Sequence, residues 1–352
     1  MSVRNPKQFF TGLLLAALAP TLIAVATAFA QQTPDAVPRP AQNAPAVGSS
    51  GQLTAQVGSN GQFVFRTSAS EVVLYATVID SHQHQVTTLA QQDFTVYENN
   101  APQTISAFQQ GDVPVSLAIL VDNSASMAGK REAINRAALD LVQASNPQDE
   151  AFVVNFSDEA FLDQDFTSNV SSLEKGLTHI DSNGGTALYD AVMAAADHLS
   201  KRAKRAKQVI LVITDGEDNS SSATLAETVR RIQDLYGPIV YSIGLLYDGP
   251  DGEEHRARKA LQTLSDQTGG IAFSPKSLNQ VDAIAAEVAR DIREQYILSY
   301  HPTEPISQGG YRAIRVDAKA KGLGKLIVRT RAGYFAQPQA DSGTIQPGSN
   351  SH

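Results

Sequence analysis

Three short segments of the chain carry side-chain oxygen atoms at points where a strand or helix should begin or end. They are Asp122-Asn123-Ser124-Ala125-Ser126, Gly185-Thr186 and Thr214-Asp215-Gly216. Two carboxylates, three hydroxyls and water form an all-oxygen shell, which suits a hard divalent cation such as Mg²⁺. The sequence therefore predicts one Mg²⁺ site, also open to Mn²⁺ or Ca²⁺, with the ligands Asp122, Ser124, Ser126, Thr186 and Asp215.

Alternating strands and helices must position those side chains. Short runs rich in Val and Ile, typical of buried parallel strands, lie at 115–121, 151–156, 208–214 and 239–244. Helical spacing fills the gaps between them, and a last helix is predicted at 278–293. This alternation predicts an α/β fold, a doubly wound and mostly parallel sheet with helices on both faces. Because ligands bind beyond the carboxyl ends of such strands, we expect Asp122 and Asp215 at one edge.

Alternating β-like segments flank this core on both sides, at 72–79, 93–98, 294–300, 311–318 and 325–331. We expect the segments from the two ends to pair into a small flanking β-sandwich. The α/β domain is then an insertion within it. The predicted boundaries are 62–112 for the first β segments, 113–293 for the α/β domain and 294–336 for the last β segments.

Residues 1–30 have the pattern of a secretory signal peptide: Arg4 and Lys7, an apolar run, then Ala28-Phe29-Ala30. An uncleaved membrane anchor is the alternative, whereas no later stretch is long and apolar enough to cross a bilayer. Residues 31–61 are predicted to be a flexible spacer, and residues 337–352 a disordered tail. The chain has no cysteine, so disulfides and a lipidated cysteine are excluded. We expect an exported protein, periplasmic or secreted.

The charge balance disfavours nucleic acid as a partner. The chain has 28 basic and 36 acidic residues, and loss of Arg4 and Lys7 with the signal would change the net charge from −8 to −10. Phosphate contacts need clustered Lys and Arg, and the one basic run is 201–207. We expect this run to end a helix and to project into water. Glu217 and Asp218 are likewise expected to be solvated acids at the start of a helix.

Enzyme chemistry fits the sequence less well. A phosphoryl-transfer enzyme of the haloacid dehalogenase type needs a second Asp two residues after the first, where this chain has Ser124. A serine hydrolase needs Gly-x-Ser-x-Gly, and neither Ser124 nor Ser126 has the glycines. His82 and His84 have strand-like spacing but lie in a polar segment that predicts a hairpin tip. A metal-dependent phosphate or ester hydrolase stays as an alternative.

The ordered set Asp122-x-Ser124-x-Ser126, Thr186 and Asp215 resembles the metal-ion-dependent adhesion site of the von Willebrand factor type A family. Over residues 71–335 the chain also resembles the bacterial VWFA-related family from acidobacteria. The segments that carry this second resemblance are Asp93-Phe94-Thr95-Val96-Tyr97-Glu98, Gly184-Gly185-Thr186-Ala187-Leu188-Tyr189-Asp190-Ala191, Thr214-Asp215-Gly216-Glu217-Asp218-Asn219-Ser220 and Arg331-Ala332-Gly333-Tyr334-Phe335.

This resemblance implies that the five residues coordinate the ion, some through water, and that an acidic residue of a partner protein completes the shell. It implies a non-enzymatic adhesion or assembly module. The acidic pair that gives integrin β-type domains a neighbouring Ca²⁺ is replaced here by Met127-Ala128-Gly129-Lys130, so we expect no second ion. Lys130 is expected to help balance the carboxylates. A structural domain with a vestigial site is a further alternative.

Overall fold

The computed structural model describes residues 53–57, 63–67, 71–144, 146–178, 183–247 and 251–337. All of them belong to one compact unit, 47–352. The predicted signal peptide, most of the predicted spacer and all but Gln337 of the predicted tail lie outside the described residues. None of the helices in the described part of the chain combines the length and apolar character that a membrane span needs.

The described strands, in chain order, are β1 (Leu53–Val57), β2 (Phe63–Thr67), β3 (Val72–Ile79), β4 (Phe94–Glu98), β5 (Ala101–Gln103), β6 (Ile105–Gln110), β7 (Val115–Asp122), β8 (Glu150–Phe156), β9 (Ala160–Thr167), β10 (Lys207–Thr214), β11 (Ile239–Gly244), β12 (Ala272–Phe273), β13 (Tyr296–Tyr300), β14 (Gly310–Ala318), β15 (Ile327–Arg329) and β16 (Gly333–Ala336). The described α-helices are α1 (Arg131–Gln143), α2 (Val170–Leu177), α3 (Leu188–Arg202), α4 (Leu225–Asp234), α5 (Asp251–Thr268) and α6 (Val281–Arg293).

The central sheet has the strand order β12-β11-β10-β7-β8-β9 among the described residues. Its strands run parallel except β9, which pairs with β8 antiparallel and forms one edge. Strands β7, β8 and β11 are buried along their whole length, as expected for a sheet covered on both faces. The β7–β10 register pairs Val121 with Ile213, so both strands end at the same edge. The predicted α/β fold class is confirmed.

Helices cover both faces of this sheet because the side chains of each strand alternate between them. On one face Leu117, Ile119 and Val121 of β7 belong to a core with apolar residues of α1, α2 and α6. On the other face Ala118 and Leu120 belong to a second core with residues of α3, α4 and α5. This double-sided core holds the strand ends, and the loops that follow them, in fixed positions.

Two four-stranded antiparallel sheets form the flanking sandwich, with the orders β15-β3-β13-β6 and β16-β14-β4-β5. Each sheet combines strands from before and after the α/β domain, and apolar residues of both sheets form a third core. The α/β domain is therefore an insertion between segments of a β-sandwich, as the sequence predicts. β1 and β2 form a separate antiparallel pair.

Several elements differ from the sequence prediction. β1 lies inside the range 31–61 that was predicted to be a flexible spacer. Apolar and polar residues alternate over 53–57, as in a strand, and this segment pairs with the apolar run that begins β2. Gln337, the first residue of the predicted tail, donates a hydrogen bond to the carbonyl of Asp234. The prediction that the whole run 201–207 faces water is wrong: Lys207 pairs with Val115 as the first residue of β10, and only 2% of it is exposed.

Candidate metal site

Asp122 is the last residue of β7 and is completely buried. Its Oδ1 accepts a hydrogen bond of 2.8 Å from the backbone N–H of Ser124, and its Oδ2 accepts one of 2.5 Å from Oγ1 of Thr214. Burial raises the pKa of Asp122 to about 6, and these hydrogen bonds partly oppose that rise. The buried carboxylate is therefore stabilised by any positive charge placed beside it.

Asp215 lies at the end of the neighbouring strand and supplies the second carboxylate. Its Oδ1 accepts a hydrogen bond of 2.8 Å from Oγ of Ser126, and its Oδ2 lies 2.7 Å from Nζ of Lys130. Oγ of Ser126 is also 3.2 Å from Oγ of Ser124. Through these contacts the first motif and the Asp215 turn form one continuous cluster of side-chain oxygen atoms.

Thr186 comes to the same edge through the segment between α2 and α3. Its N–H donates to Oδ1 of Asn219 at 2.8 Å, and its carbonyl accepts from the N–H of Asn219 at 3.0 Å. A Cβ added to Gly216 would lie 3.5 Å from Oγ1 of Thr186, which places this hydroxyl beside the Asp215 turn. All five predicted ligands are thus brought to one edge of the sheet.

Two glycines allow the Thr186 loop to approach its neighbours. Gly184 has a φ of +76°, and a Cβ at that position would overlap the carboxylate of Asp158. Gly185 donates its N–H to Oδ1 of Asp158 at 2.8 Å, and a Cβ there would overlap Ser220 and Asn219. The close packing of these loops fixes the position of Thr186 and requires small residues before it.

The loop after β10 is tied to the start of α3. Oδ2 of Asp218 accepts the N–H of Tyr189 at 2.9 Å, so this acid binds the first turn of α3 rather than lying in water as the sequence predicted. Asp190 accepts the N–H groups of Ser222 and Ala223 in return, at 2.8 and 3.0 Å. These reciprocal bonds hold the Asp215 turn against the Thr186 loop.

Arg131 holds the backbone of the site at Asp122. The sequence alone did not identify this residue. Its side chain is almost completely buried, and it donates to the carbonyl of Asp122 at 3.2 Å and to Oδ1 of Asn155 at 2.7 Å. A further bond of 3.0 Å reaches the carbonyl of Leu177. Burial lowers the pKa of Arg131 to about 10. In the sequence this arginine looks like any solvent-exposed basic residue in the first turn of a helix.

The chemistry of the cluster fits a divalent cation. The side-chain donors of the five predicted ligands are all oxygen atoms, and two of them are carboxylates, which is the donor type that Mg²⁺ and Ca²⁺ prefer. The position of the Lys130 ammonium also supports a cation site, because Asp215 already stabilises one positive charge there. His82 and His84, the other spacing considered for a metal, lie in an exposed turn around Asp80.

Comparison with known proteins identifies the class. Residues 117–217 match the family model described as von Willebrand factor type A domain, and the chain carries a domain of this family. Such domains typically act in adhesion or protein interaction. The match includes the first motif, Thr186 and Asp215.

Among curated proteins, the chain is 27% identical over 173 residues to "Calcium-activated chloride channel regulator 1" of Sus scrofa, which covers 48% of this chain and 17% of that protein. It is 23% identical over 135 residues to the protein sll0103 of Synechocystis, which covers 38% of this chain and 32% of that protein. The chain therefore matches less than two thirds of the length of either relative.

Among solved structures, "von Willebrand factor type A from Catenulispora acidiphila" covers 77% of this chain and 74% of its own at 13% identity and a TM-score of 0.46. The vWF domain of the type V pili tip protein Mfa5 from Porphyromonas gingivalis covers 51% of this chain and 95% of its own, at 13% identity and a TM-score of 0.43. Both TM-scores are below 0.5, so the family match rests on residues 117–217 alone.

Proposed function

We propose that this protein is an exported, non-enzymatic binding module that uses a divalent cation to recognise a protein partner. Asp122, Ser124, Ser126, Thr186 and Asp215 would hold the ion, with Mg²⁺ favoured over Mn²⁺ or Ca²⁺. The observation that carries the proposal is the continuous oxygen cluster from Asp122 through the two serines to Asp215. The ion would supply a positive charge at the protein surface.

The partner would present an acidic residue to this charge. A cation held by few protein carboxylates gains most from an additional anionic oxygen, so a carboxylate from another protein is the fitting ligand. Ser126 is exposed, which gives a partner access to this side of the cluster. The excess of acidic over basic residues in the chain argues against nucleic acid as the partner.

Thermal unfolding tests the ion site. We expect Mg²⁺ to raise the melting temperature of the purified protein above its value in EDTA, because an ion that binds only the folded state stabilises it by mass action. At about 100 times the Kd the gain is about 2.7 kcal/mol, or a rise of roughly 5 °C or more. Asp215→Ala should remove this rise while the protein stays folded. An equal rise in the melting temperature of the variant would show that the ion binds elsewhere. No rise in either protein would favour a vestigial site.

Export rests on the N-terminal sequence. Arg4 and Lys7 followed by an apolar run and Ala28-Phe29-Ala30 form a signal pattern with cleavage before Gln31. The mass of the protein recovered from the periplasm or medium of producing bacteria should correspond to a chain that starts at Gln31. Recovery of the full-length chain in the membrane fraction would support the anchor alternative instead.

A further inference from the structure

Lys130 holds a position that the binding of an ion must affect. It precedes α1, and its Nζ lies 2.7 Å from Oδ2 of Asp215. The pair is well shielded from water, since 14% of the Lys130 side chain and 1% of the Asp215 side chain are exposed. Nζ also lies 5.5 Å from the ring centroid of Tyr247, within the range of a cation–π contact.

Both oxygens of Asp215 are engaged by the protein itself. Oδ1 accepts the hydroxyl of Ser126, and Oδ2 accepts the ammonium of Lys130. A lysine ammonium is a compact charge on a flexible stem, so it resembles a small cation that is attached to the chain. Because like charges repel more strongly where water is excluded, this ammonium and a divalent ion at the same carboxylate disfavour each other.

We propose that Lys130 is a built-in competitor of the divalent cation, which lowers the affinity of the site for the ion. The inference rests on the proposed function, because it concerns the same site. The ammonium neutralises Asp215 when no ion is bound, and it must move away from Oδ2 or tolerate the ion's charge when one binds. A partner carboxylate adds negative charge beside the ion, and it therefore opposes the effect of Lys130 and favours binding of the ion and the partner together.

Calorimetric titration of the purified full chain with MgCl₂, and separately with MnCl₂, measures this competition. The variant Lys130→Met removes the charge and keeps an unbranched side chain of similar length. We expect its Kd for either ion to be at least tenfold lower than that of wild type. Lys130→Arg keeps a positive charge near Asp215, and its Kd should stay within about threefold of wild type.

Lys201→Met is the matched control for a change of net charge. Lys201 is in the last turn of α3, 72% of its side chain is exposed, and it lies 3.9 Å from Asp197. The site lies at the other end of this helix, about 20 Å away at 1.5 Å per residue. We expect the Kd of Lys201→Met to equal that of wild type within about twofold, because salt screens exposed charges at that distance.

The outcomes separate the two proposals. A lower Kd in Lys130→Met, but not in Lys130→Arg or Lys201→Met, supports the competitor role. Equal Kd values in wild type and Lys130→Met overturn the competitor role and leave the ion site intact. Ion binding that is lost in Lys130→Met also overturns it, provided that the circular dichroism spectrum and melting curve in EDTA show a folded variant. If neither protein binds an ion, both the competitor role and the proposed function fail.

Discussion

Two regions of this molecule contain a carboxylate surrounded by hydroxyls and one basic side chain, and they differ in how the basic group is held. In the flanking sandwich, Glu98 accepts hydrogen bonds from the hydroxyls of Tyr300 and Tyr334, at 2.7 and 2.9 Å, and from Arg312 at 3.2 Å. At the edge of the central sheet, Asp215 accepts from Ser126 and Lys130.

The sandwich cluster is held by strands. Glu98 ends β4, Tyr300 ends β13, and Arg312 and Tyr334 belong to β14 and β16. Burial, together with the bond to Glu98, raises the pKa of both tyrosines far above its usual value, so both hydroxyls stay protonated and donate. Arginine keeps its charge at any ordinary pH, and 1% of this one is exposed. This cluster has a structural role.

The sheet-edge cluster is held by loops, and its basic group is a lysine on a flexible stem. The site residues other than Asp122 lie outside the strands and α-helices: Ser124, Ser126, Lys130, Thr186 and Asp215. The loops that carry them contact one another through backbone groups and short polar side chains. Where strands fix a carboxylate, hydroxyls and a basic group, as in the sandwich, they form a permanent support. Where loops present them near the surface, they suit an exchangeable cation.

The largest expected effect is in the sandwich. Arg312→Met should lower the free energy of unfolding by about 3–5 kcal/mol, because it leaves the buried carboxylate of Glu98 without its basic partner. Arg315→Met is the control, since Arg315 lies on the same strand and is half exposed. That change should cost less than about 1 kcal/mol. Equal losses in the two variants, measured by urea unfolding, would remove the structural role assigned to the sandwich cluster.

Lys207 differs from Arg312 because it is a buried cation that can lose its proton. Its Nζ donates to the carbonyl of Ile292 and lies 5.1 Å from the ring centroid of Tyr75. Burial lowers the pKa of Lys207 from 10.5 to about 8, and Asp291 opposes this. Between these two values the unfolded chain binds a proton that the folded chain does not, so stability attributable to Lys207 rises with pH.

The test compares wild type with Lys207→Met at about pH 7 and pH 10. Because each unit of pKa difference corresponds to about 1.4 kcal/mol, wild type should gain about 2–3 kcal/mol relative to the variant over this range. The tyrosines whose pKa is raised by burial are present in both proteins, so their contribution to the free energy of unfolding cancels in the difference. Urea unfolding at the two pH values gives the result, and a difference that stays constant would show that Lys207 titrates normally.

Gly185→Ala tests how closely the loops of the sheet edge must pack. The added Cβ would overlap Ser220 and Asn219, and Asn219 is the acceptor for the N–H of Thr186. We expect a loss of about 1–2 kcal/mol in stability and a Mg²⁺ Kd raised by about tenfold. Gly129→Ala is the matched control in a neighbouring loop, since its Cβ would meet no atom within 4 Å. A Kd unchanged in both variants would show that the loop position does not matter for the ion.

The smallest effect is expected at Glu217, which forms an exposed ion pair with Arg256. Glu217→Gln should cost less than about 1 kcal/mol of stability, because exposed pairs contribute little. It should also leave the Mg²⁺ Kd within about threefold of wild type in a calorimetric titration. A tenfold weaker affinity would place Glu217 among the groups that hold the ion.

The central sheet was predictable because its strands are buried on both faces and read as continuous apolar runs. The segment 239–244 was predicted with the bounds of β11, and the predicted bounds of β7, β8 and β10 differ from the structure by one residue. β9 and α2 were missed. β9 is an edge strand with exposed and partly buried positions, and its two acids, Asp163 and Asp165, interrupt the apolar residues, so it has no long apolar run to detect. Its position depends on pairing with β8, which sequence periodicity does not encode.

The residue types of the site were predictable, but the contacts among them were not. Asp122, Ser124, Ser126, Thr186 and Asp215 could be placed at one edge, because parallel strands end together there. The bonds from Thr214 to Asp122 and from Asn219 to Thr186 join segments far apart in the chain. They depend on tertiary packing, as does the burial of Arg131, and no local pattern identifies them.

Anomalous X-ray scattering from crystals of the wild-type protein grown with MnCl₂ would locate the ion and so decide whether the five residues at the sheet edge bind it. We expect one anomalous peak at the sheet edge, within direct or water-mediated reach of Asp122, Ser124, Ser126, Thr186 and Asp215, together with Lys130 moved from Oδ2 of Asp215. A peak elsewhere on the protein, or no peak at a manganese concentration that saturates calorimetric binding, would show that these residues do not form the ion site.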